Sequence, residues 1–448
     1  MPKNVGFIST RFAGTDGVSL EANKWADVFA ELGHTCFWFA GELDRDPEKS
    51  VLVPEAHFQN PQNQWINSQI CGRTGRDAAV TDLIHTLRSH LKSELQHFID
   101  HFKIDFLVIE NALSIPMSLP LGLSLAELIS ETRIPTIAHH HDFYWERIRY
   151  AVNGVGEYLR MAFPPILHNV QHVVINSAAR DELIRRRSVT ATLIPNVFDF
   201  DHPPLRNRNN SRAFRTSFRL KNNDRVILQP TRIIQRKGIE HAIELVKGLQ
   251  DSRYKLIITH KAGDEGFEYF KWVKEYAHEN GVDLRIAENR ITAPGNHSAG
   301  QFSKDSLWDI YAHADFITFP SLYEGFGNAF LEAIYFKKPL LINRYPAFVT
   351  DIESKGFDLV TINGYLTKEA VQMVSEILQS PQRRQKMTDH NYQTARRYYS
   401  YSILRERLGA LMAGLYRDAR VPVGSGGTNG SRYSAKMQDE ISTTRIAS

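Results

Sequence analysis

The chain has 448 residues, with 54 lysine and arginine residues against 50 aspartate and glutamate residues, so its formal net charge is only +4. A charge this small for the length argues against a general nucleic-acid binder, which usually carries a dense basic face. The two cysteines cannot supply a disulfide framework, and no run of about 18 apolar residues is present to span a membrane.

The remaining bulk properties are those of an ordinary globular enzyme, with 42% hydrophobic and 23% charged residues. The first 12 residues do not combine a basic stretch with a long apolar run, so we expect no signal peptide and a reduced, cytoplasmic location. The length predicts two domains of about 150–200 residues each.

The first half of the chain alternates strand and helix. A strand at 5–9, a helix at 19–32 and a strand at 35–40 form the βαβ unit that is typical of a parallel sheet. The alternation continues with helices at 77–102, 119–130 and 178–187 and strands at 106–109, 136–138, 173–175 and 192–194. This pattern predicts one complete doubly wound α/β domain.

A Pro- and Asn-rich stretch at 201–212 predicts a domain boundary, after which the alternation restarts. A second parallel α/β domain is therefore predicted, and a helix at 382–417 ends the folded part. The last 30 residues lack apolar periodicity, and we expect this tail to be disordered. Ligands of such sheets bind beyond the carboxyl ends of the strands, so the loops there hold the candidate site.

The most informative of these loops runs from Pro320 to Ala333, directly after a predicted strand. Two glycines there allow close backbone approach to a ligand, and the free N–H groups of the following helix suit a diphosphate. Glu324 and Glu332 could accept hydrogen bonds from sugar hydroxyls. The alternative is a turn with Glu324 solvated and Glu332 on an exposed helix face.

Glu324 and Glu332, with seven residues between them and the run Ser-Leu-Tyr-Glu-Gly-Phe-Gly, resemble the donor-site motif of retaining glycosyltransferases of family four, the group 1 glycosyl transferases. The resemblance implies the GT-B fold, in which two doubly wound Rossmann-like domains face each other across a cleft. It implies that Glu324 binds the transferred sugar and Glu332 the nucleotide ribose. It also assigns donor contacts to the loop residues Gly325, Phe326, Gly327 and Asn328.

A second loop holds Arg232 and Lys237, five residues apart at a helix start. They could converge on one anion and neutralise the charge that builds on a departing diphosphate. Alternatively they are solvated basic residues of a first helical turn. The family has an Arg and a Lys-Gly at this spacing, so the resemblance makes both diphosphate ligands. We expect Arg236 to face solvent.

A third loop begins with His139, His140 and His141, followed by Asp142. Consecutive side chains of an extended chain do not share one centre, so no metal site is predicted here. The resemblance assigns His141 and Asp142 to the sugar's hydroxymethyl end, with His140 as the rival. The aromatic run at 143–145 could stack on an acceptor sugar or pack in the core.

A fourth loop, with Gly14 and Gly17, follows the first strand. It resembles the family's glycine-rich loop near the donor phosphate and the acceptor. The alternative is a tight turn that caps the next helix, with Ser19 as the N-cap. Asp44 and Asp46 imitate a D-x-D motif, but we expect a solvated loop there.

The resemblance implies a hexosyltransferase for carbohydrate biosynthesis that uses a GDP-, UDP- or ADP-linked sugar and a soluble, hydroxylated small acceptor. It implies no obligatory cofactor, and no metal is assigned. It divides the chain into an acceptor-side domain (1–205), a donor domain (206–395), a helix that crosses back (396–418) and the tail (419–448). The alternatives are a nucleotide-sugar epimerase or hydrolase on the same fold, or a non-catalytic binding protein.

Overall fold

A computed structural model describes residues 2–14, 16–203, 211–259, 267–287 and 307–418. Its strands form two separate sheets of seven and six strands, and every pairing within them is parallel. The predicted tail at 419–448 and the predicted boundary between residues 205 and 206 lie outside the described residues, so both stay predictions.

The first sheet has the strand order β3-β2-β1-β4-β5-β6-β7. Its strands are β1 (Asn4–Ile8), β2 (Thr35–Ala40), β3 (Ser50–Leu52), β4 (Phe106–Glu110), β5 (Thr136–His140), β6 (Val170–Val174) and β7 (Ala191–Leu193). The helices of this half are α1 (Gly17–Glu31), α2 (Pro61–Ile70), α3 (Ala78–Phe102), α4 (Leu119–Thr132), α5 (Gly156–Ala162) and α6 (Ser177–Arg187). The order reverses between β1 and β4, and a crevice opens at such a reversal.

The second sheet has the order β10-β9-β8-β11-β12-β13. Its strands are β8 (Arg225–Gln229), β9 (Tyr254–Ile258), β10 (Leu284–Ile286), β11 (Phe316–Phe319), β12 (Leu340–Asn343) and β13 (Val360–Ile362). The helices are α7 (Ser211–Ser217), α8 (Ile239–Gly248), α9 (Phe267–Glu279), α10 (Leu307–His313), α11 (Asn328–Tyr335), α12 (Lys368–Gln379) and α13 (Pro381–Tyr399). Here the order reverses between β8 and β11.

The single closing helix that is predicted is two helices, because the helical conformation is interrupted at Ser400, between α13 and α14 (Tyr401–Asp418). Helix α13 packs on the second sheet through residues such as Tyr392 and Ala395. Helix α14 instead returns to the first sheet, where it packs on α1 and β6. Its Leu404, Leu408, Leu411 and Leu415 join a core cluster that also holds residues of β1 and β4. Their spacing puts one apolar stripe on the face that α14 buries.

Candidate functional site

The site lies where the two strand-order reversals face each other. The loop after β11 reaches the loop after β5, since a Cβ built on Gly325 would lie 3.2 Å from the backbone oxygen of His141. The start of α1 reaches the start of α11 in the same way, with 3.5 Å between a Cβ built on Gly17 and Nδ2 of Asn328. Three of the four predicted loops therefore meet at one interdomain crevice, and Lys237 brings the fourth loop to it through Glu324.

Lys237 and Glu324 form the central contact of this crevice. The Lys237 Nζ donates to Glu324 Oε1, and both side chains are about nine-tenths buried, at 10% and 11% exposure. Burial lowers the pKa of Lys237, although Glu324 works in the opposite direction. Burial also opposes ionisation of Glu324, but the charges of Lys237 and Arg236 prevail and lower its pKa. The pair therefore presents a buried cation beside a buried anion.

Arg236 contacts the candidate site, whereas the sequence analysis predicts that it faces solvent. Its guanidinium donates to the Tyr323 backbone oxygen at 3.0 Å and contacts Glu324 Oε2 at 3.3 Å, while 41% of the side chain stays exposed. The predicted diphosphate ligand Arg232 is exposed on the same loop after β8. Its positive charge contributes to the lowered pKa of Lys237. Two cations, Lys237 and Arg236, thus contact the Glu324 carboxylate.

Glu332 is not on an exposed helix face. It is buried on α11, and the hydroxyl of the buried Tyr311 donates to Glu332 Oε2 at 2.6 Å. Burial raises the pKa of Glu332, with Tyr311 and the positive charge of Lys24 acting against that rise. Lys24 is on α1 of the first domain, where its Nζ donates to Glu21 and to the Val197 backbone oxygen. Both domains therefore shape the surroundings of this carboxylate.

The loop before α11 is shaped by glycine. Gly327 has φ +103°, and a Cβ there would lie 2.6 Å from the Tyr345 hydroxyl oxygen, so other residues would force the loop apart. The ring of Phe326 packs in the core against Tyr399, which leaves its backbone as the part that can meet a ligand. Asn328 begins α11, and its Oδ1 accepts from Asn196 at 2.5 Å. The N-terminus of α11 therefore points at the crevice.

The three histidines divide between the two faces of β5. His140 is buried on one face, where its ring contacts Ser114 and, at 2.9 Å, His172. His139 and His141 lie on the other face, and both bind the Glu110 carboxylate. The structure therefore brings His141, and not its rival His140, to the crevice.

Asp142 is engaged by residues of its own loop and of the loop after β4. Its carboxylate accepts from Arg147 Nε at 2.7 Å and from Asn111 Nδ2 at 3.1 Å, so it anchors the loop after β5. Of the neighbouring aromatic residues, Phe143 is fully buried and stacks on Trp145 with 4.4 Å between ring centroids. The core-packing alternative is therefore correct for Phe143.

The N-cap of α1, at the end of the loop after β1, is a different residue from the one predicted. Asp16 accepts from the backbone N–H groups of Val18 and Ser19 and is the N-cap of α1, so Ser19 is not the cap. Gly14 donates its N–H to Asp44 Oδ2 at 2.8 Å. Asp44 is exposed, as predicted for a solvated loop, and this hydrogen bond ties it to the loop after β1.

The candidate site residues predicted from the sequence do not include Glu110 or Tyr311. Glu110 ends β4, a strand next to the order reversal, and that position could have suggested it. Tyr311 approaches Glu332 only through the packing of α10 against α11, for which the sequence offers no local signal. Within the described part of the chain, no helix is long and apolar enough to cross a membrane.

The comparisons with known proteins agree with this architecture. The family model described as "Glycosyl transferases group 1" matches residues 210–394. A mannosylglucosylglycerate synthase of Thermotoga maritima is 30% identical over 434 residues, which cover 90% of this chain and 98% of that protein.

Solved structures show the same fold. A glycosyltransferase from Rickettsia africae ESF-5 has a TM-score of 0.66 at 14% identity, over 92% of this chain and 99% of that one. Anabaena Alr3699/HepE in complex with UDP and glucose has a TM-score of 0.61 at 13% identity, again over 92% and 99%.

Two parallel α/β domains that meet at a crevice make this protein a GT-B glycosyltransferase, which confirms the predicted fold class and the predicted enzyme class. The match over nearly the whole length of the Thermotoga protein is decisive: the chain belongs to the group 1 glycosyltransferases.

Proposed function

We propose that this enzyme transfers a hexosyl group, with retention of configuration, from a nucleotide-diphosphate sugar to a soluble hydroxylated acceptor. The observation that carries the proposal is the buried contact between Lys237 and Glu324 beside the N-terminus of α11. A leaving diphosphate needs a cation and N–H donors, and a sugar needs an acceptor for its hydroxyl hydrogens. The crevice offers both within one contact.

The donor's diphosphate would bind to Lys237, Arg232 and the N–H groups that follow Gly327. Negative charge grows on the phosphate oxygen as the bond to the anomeric carbon weakens, and a nearby ammonium stabilises that charge. Lys237 contacts Glu324, so its Nζ would meet the diphosphate beside the carboxylate that would bind the sugar. Glu332 would hold the nucleotide ribose and His141 the hydroxymethyl end of the sugar.

The acceptor hydroxyl would attack from the side of the leaving group, and the departing phosphate oxygen would take its proton. This sequence of steps gives retention without a carboxylate nucleophile or base, unlike hydrolysis by a carboxylate pair. It also fits Glu324, whose lowered pKa keeps it ionised and whose oxygens are engaged by Lys237 and Arg236. Closure of the crevice would exclude water from the donor.

The name of the Thermotoga relative suggests the finer substrate, a mannosyl donor and a glucosylglycerate-type acceptor. Glycerate carries a carboxylate, for which the crevice should hold a cation. Arg11 supports this assignment, because it lies in the loop after β1, pairs with Asp16 at 3.3 Å and keeps 32% of its side chain exposed. A guanidinium fork binds a carboxylate through two hydrogen bonds.

The test is turnover of GDP-, UDP- and ADP-linked glucose and mannose, each with and without glucosylglycerate, with products resolved by mass spectrometry and NMR. We expect one donor to yield a disaccharide glycerate whose new anomeric centre keeps the donor's configuration. Equal donor consumption with and without acceptor would instead indicate a hydrolase or epimerase. No binding of any nucleotide diphosphate in a thermal-shift panel would reject a nucleotide-sugar site.

Two variants connect the activity to the crevice. Glu324→Gln keeps the size of the side chain and removes the charge, and we expect it to lower turnover at least ~100-fold. Glu369→Gln is the matched control, since Glu369 is an exposed acid in the first turn of α12. If both variants turned over at the same rate, Glu324 would have no role in transfer.

A further inference from the structure

Glu110 is a buried acid that the proposed transfer mechanism does not use. It ends β4, has no exposed surface and faces His139 of β5 and His141, which directly follows that strand. Its Oε1 accepts from His139 Nδ1 at 3.1 Å, and its Oε2 accepts from His141 Nε2 at 2.9 Å. The parallel register pairs Glu110 with His139, and His141 returns to the same face two residues later. The sheet itself therefore builds this cluster.

Hydrogen bonds and a ring contact hold His141 in place. Asn111 Oδ1 accepts from the His141 backbone N–H at 2.8 Å, and the His141 ring packs on His139 with 4.4 Å between centroids. Nε2 is taken by Glu110, so Nδ1 is the ring nitrogen left to meet a ligand. Across the crevice, Gly325 approaches the His141 backbone oxygen, so residue His141 lies next to the loop after β11.

The charges around the ring favour its protonated form. Burial opposes ionisation of Glu110, yet His139 and His141 outweigh it and lower the pKa of Glu110 to about 2. Burial likewise opposes charge on His141, but the hydrogen bond and charge of Glu110, with smaller contributions from Glu21 and Asp142, raise its pKa. A protonated ring presents an N–H at Nδ1.

We propose that Glu110 is a positioning residue for sugar transfer: its carboxylate holds Nε2 of His141, so that Nδ1–H donates to an oxygen of the donor sugar. This inference rests on the proposed function and adds to it a group that does not touch the substrate. A second-layer carboxylate of this kind fixes both the tautomer and the orientation of an imidazole.

The same three residues also have donor atoms within 4.8 Å of one another, the spacing that a metal ion would need. Hydrogen bonds from both rings to the Glu110 carboxylate account for the cluster. The two interpretations differ in a measurable way. Stoichiometric Zn²⁺ uptake by the purified enzyme that Glu110→Gln abolishes would overturn the positioning role.

The direct test is the ring of His141 in the full-length enzyme labelled with ¹⁵N-histidine, with its signals assigned from the His141→Gln spectrum. In the wild type we expect Nε2 to stay protonated throughout, while Nδ1 loses its proton at a pKa above 6.5. This measurement needs no variant of Glu110 to fold. A wild-type spectrum in which Nε2 is the deprotonated nitrogen would overturn the proposal.

Two variants then separate the effect of the charge of Glu110 from the effect of its side-chain length. Glu110→Gln keeps an oxygen for Nε2–H but removes the charge, so the Nδ1 titration should move at least ~1 unit lower. Glu110→Asp keeps the charge but is one methylene shorter, so we expect both tautomers of neutral His141. Glu21→Gln is the control, because Glu21 is a buried acid without a hydrogen bond to His141, and we expect a smaller shift with Nε2 still protonated.

Kinetics complete the test. Glu110→Gln should lower kcat ~10-fold or more with the KM for the donor within ~3-fold, as expected when transition-state stabilisation is lost. Activity should fall as pH rises through the His141 pKa, and at lower pH in Glu110→Gln. If the wild type transferred no sugar, the proposed function would fail while the spectra still decided the role of Glu110. If it transferred sugar and Glu110→Gln left kcat and its pH profile unchanged, only this inference would fail.

Discussion

Lys237 and Glu324 are the two residues on which the proposed chemistry depends most directly, and they also depend on each other for stability. Each is about nine-tenths buried, and each compensates the charge of the other. Removing one partner of a buried ion pair leaves the other charge unpaired, which typically costs ~3–5 kcal/mol. A single substitution here therefore alters folding and catalysis together, and an experiment has to separate the two.

We predict that Lys237→Ala lowers kcat by ~100-fold or more and also lowers the free energy of unfolding. The double variant Lys237→Met with Glu324→Gln should recover stability, because no unpaired charge remains, but it should not recover activity. Urea unfolding and steady-state kinetics measure the two effects. Arg236→Ala is the comparison variant, with a smaller loss of stability since its side chain is 41% exposed. Wild-type kcat in Lys237→Ala would remove this lysine from the mechanism.

Glu332 illustrates the opposite relation between stability and binding. Burial raises its pKa, so the folded protein carries a cost for the ionised form. That cost appears as pH rises from 4.5, the carboxyl's ordinary pKa, through the raised value, and it persists above it. A ligand that brings hydroxyl donors into the crevice would offset it.

We therefore predict that Glu332→Gln is as stable as the wild type or more stable at pH 7 without ligand, with the advantage shrinking toward pH 4. The glutamine can still accept from the Tyr311 hydroxyl. The KM for the donor should rise ~10-fold, since a hydrogen bond to a charged group is worth about 1.5 kcal/mol or more. Thermal unfolding across this pH range and donor titrations would check both parts. A strongly destabilised Glu332→Gln with unchanged donor KM would contradict the ribose assignment.

At the scale of secondary-structure elements, α14 links the end of the chain to its beginning. Its buried leucines share a core cluster with residues of α1, β1, β4 and β6, although α13, immediately before it, packs on the second sheet. Arg405 also pairs with Glu31 of α1. The stability of the first domain therefore depends on residues about 200 positions beyond its last strand, β7 (Ala191–Leu193).

We predict that Leu408→Ala destabilises the protein by ~2–5 kcal/mol, the usual cost of emptying a fully buried leucine site. Hydrogen exchange should show faster opening of β1 and β4 and little change in β8 and β11. Glu406→Ala, on the exposed face of α14, is the control and should change stability by less than ~0.5 kcal/mol. Equal loss of protection in both sheets would show that the domains unfold as one unit.

The sequence predicts elements best where the pattern is long and periodic. Most strands and helices, including the strand before Glu324 and the helix after it, follow from apolar runs and turn residues. The short elements β3, α5, α7 and β13 are not predicted because three to seven residues carry too little periodicity. The longer helices α2 and α12, with 10 and 12 residues, are not predicted either, and their length does not explain it. The break at Ser400 was missed because polar and apolar residues continue at helical spacing through it.

The candidate site divides in the same way. Glu324, Lys237 and His141 follow from motifs, since each lies in a loop directly after a strand. The partners Glu110 and Tyr311 do not, because strand register and helix packing bring them close across 31 and 21 positions. Arg236 was predicted to face solvent because the contact it makes with Glu324 is 88 positions away. Long-range contacts of this kind have no signature in a local pattern.

At the scale of the whole molecule, the two domains are joined by hydrogen bonds on either side of Glu324. The Tyr323 hydroxyl donates to Glu146 Oε2 at 2.8 Å, and Asn176 Nδ2 donates to the Gly325 backbone oxygen at 2.8 Å. The residues on both sides of Glu324 are thus held by the first domain. Opening the crevice would withdraw Glu324 from the first domain, so closure and assembly of the site are the same event.

We predict that Tyr323→Phe shifts the enzyme toward an open form by ~0.5–1.5 kcal/mol, the usual net value of one hydrogen bond. The KM for the donor should rise ~2–10-fold, and a larger share of the donor should be hydrolysed, because water enters a less completely closed crevice. Small-angle X-ray scattering and the ratio of free sugar to transfer product measure the two effects. Tyr365→Phe is the matched control, since Tyr365 is 65% exposed and is not one of the residues that form these hydrogen bonds between the domains. An unchanged ratio in Tyr323→Phe, with scattering identical to the wild type, would mean that this contact does not govern closure.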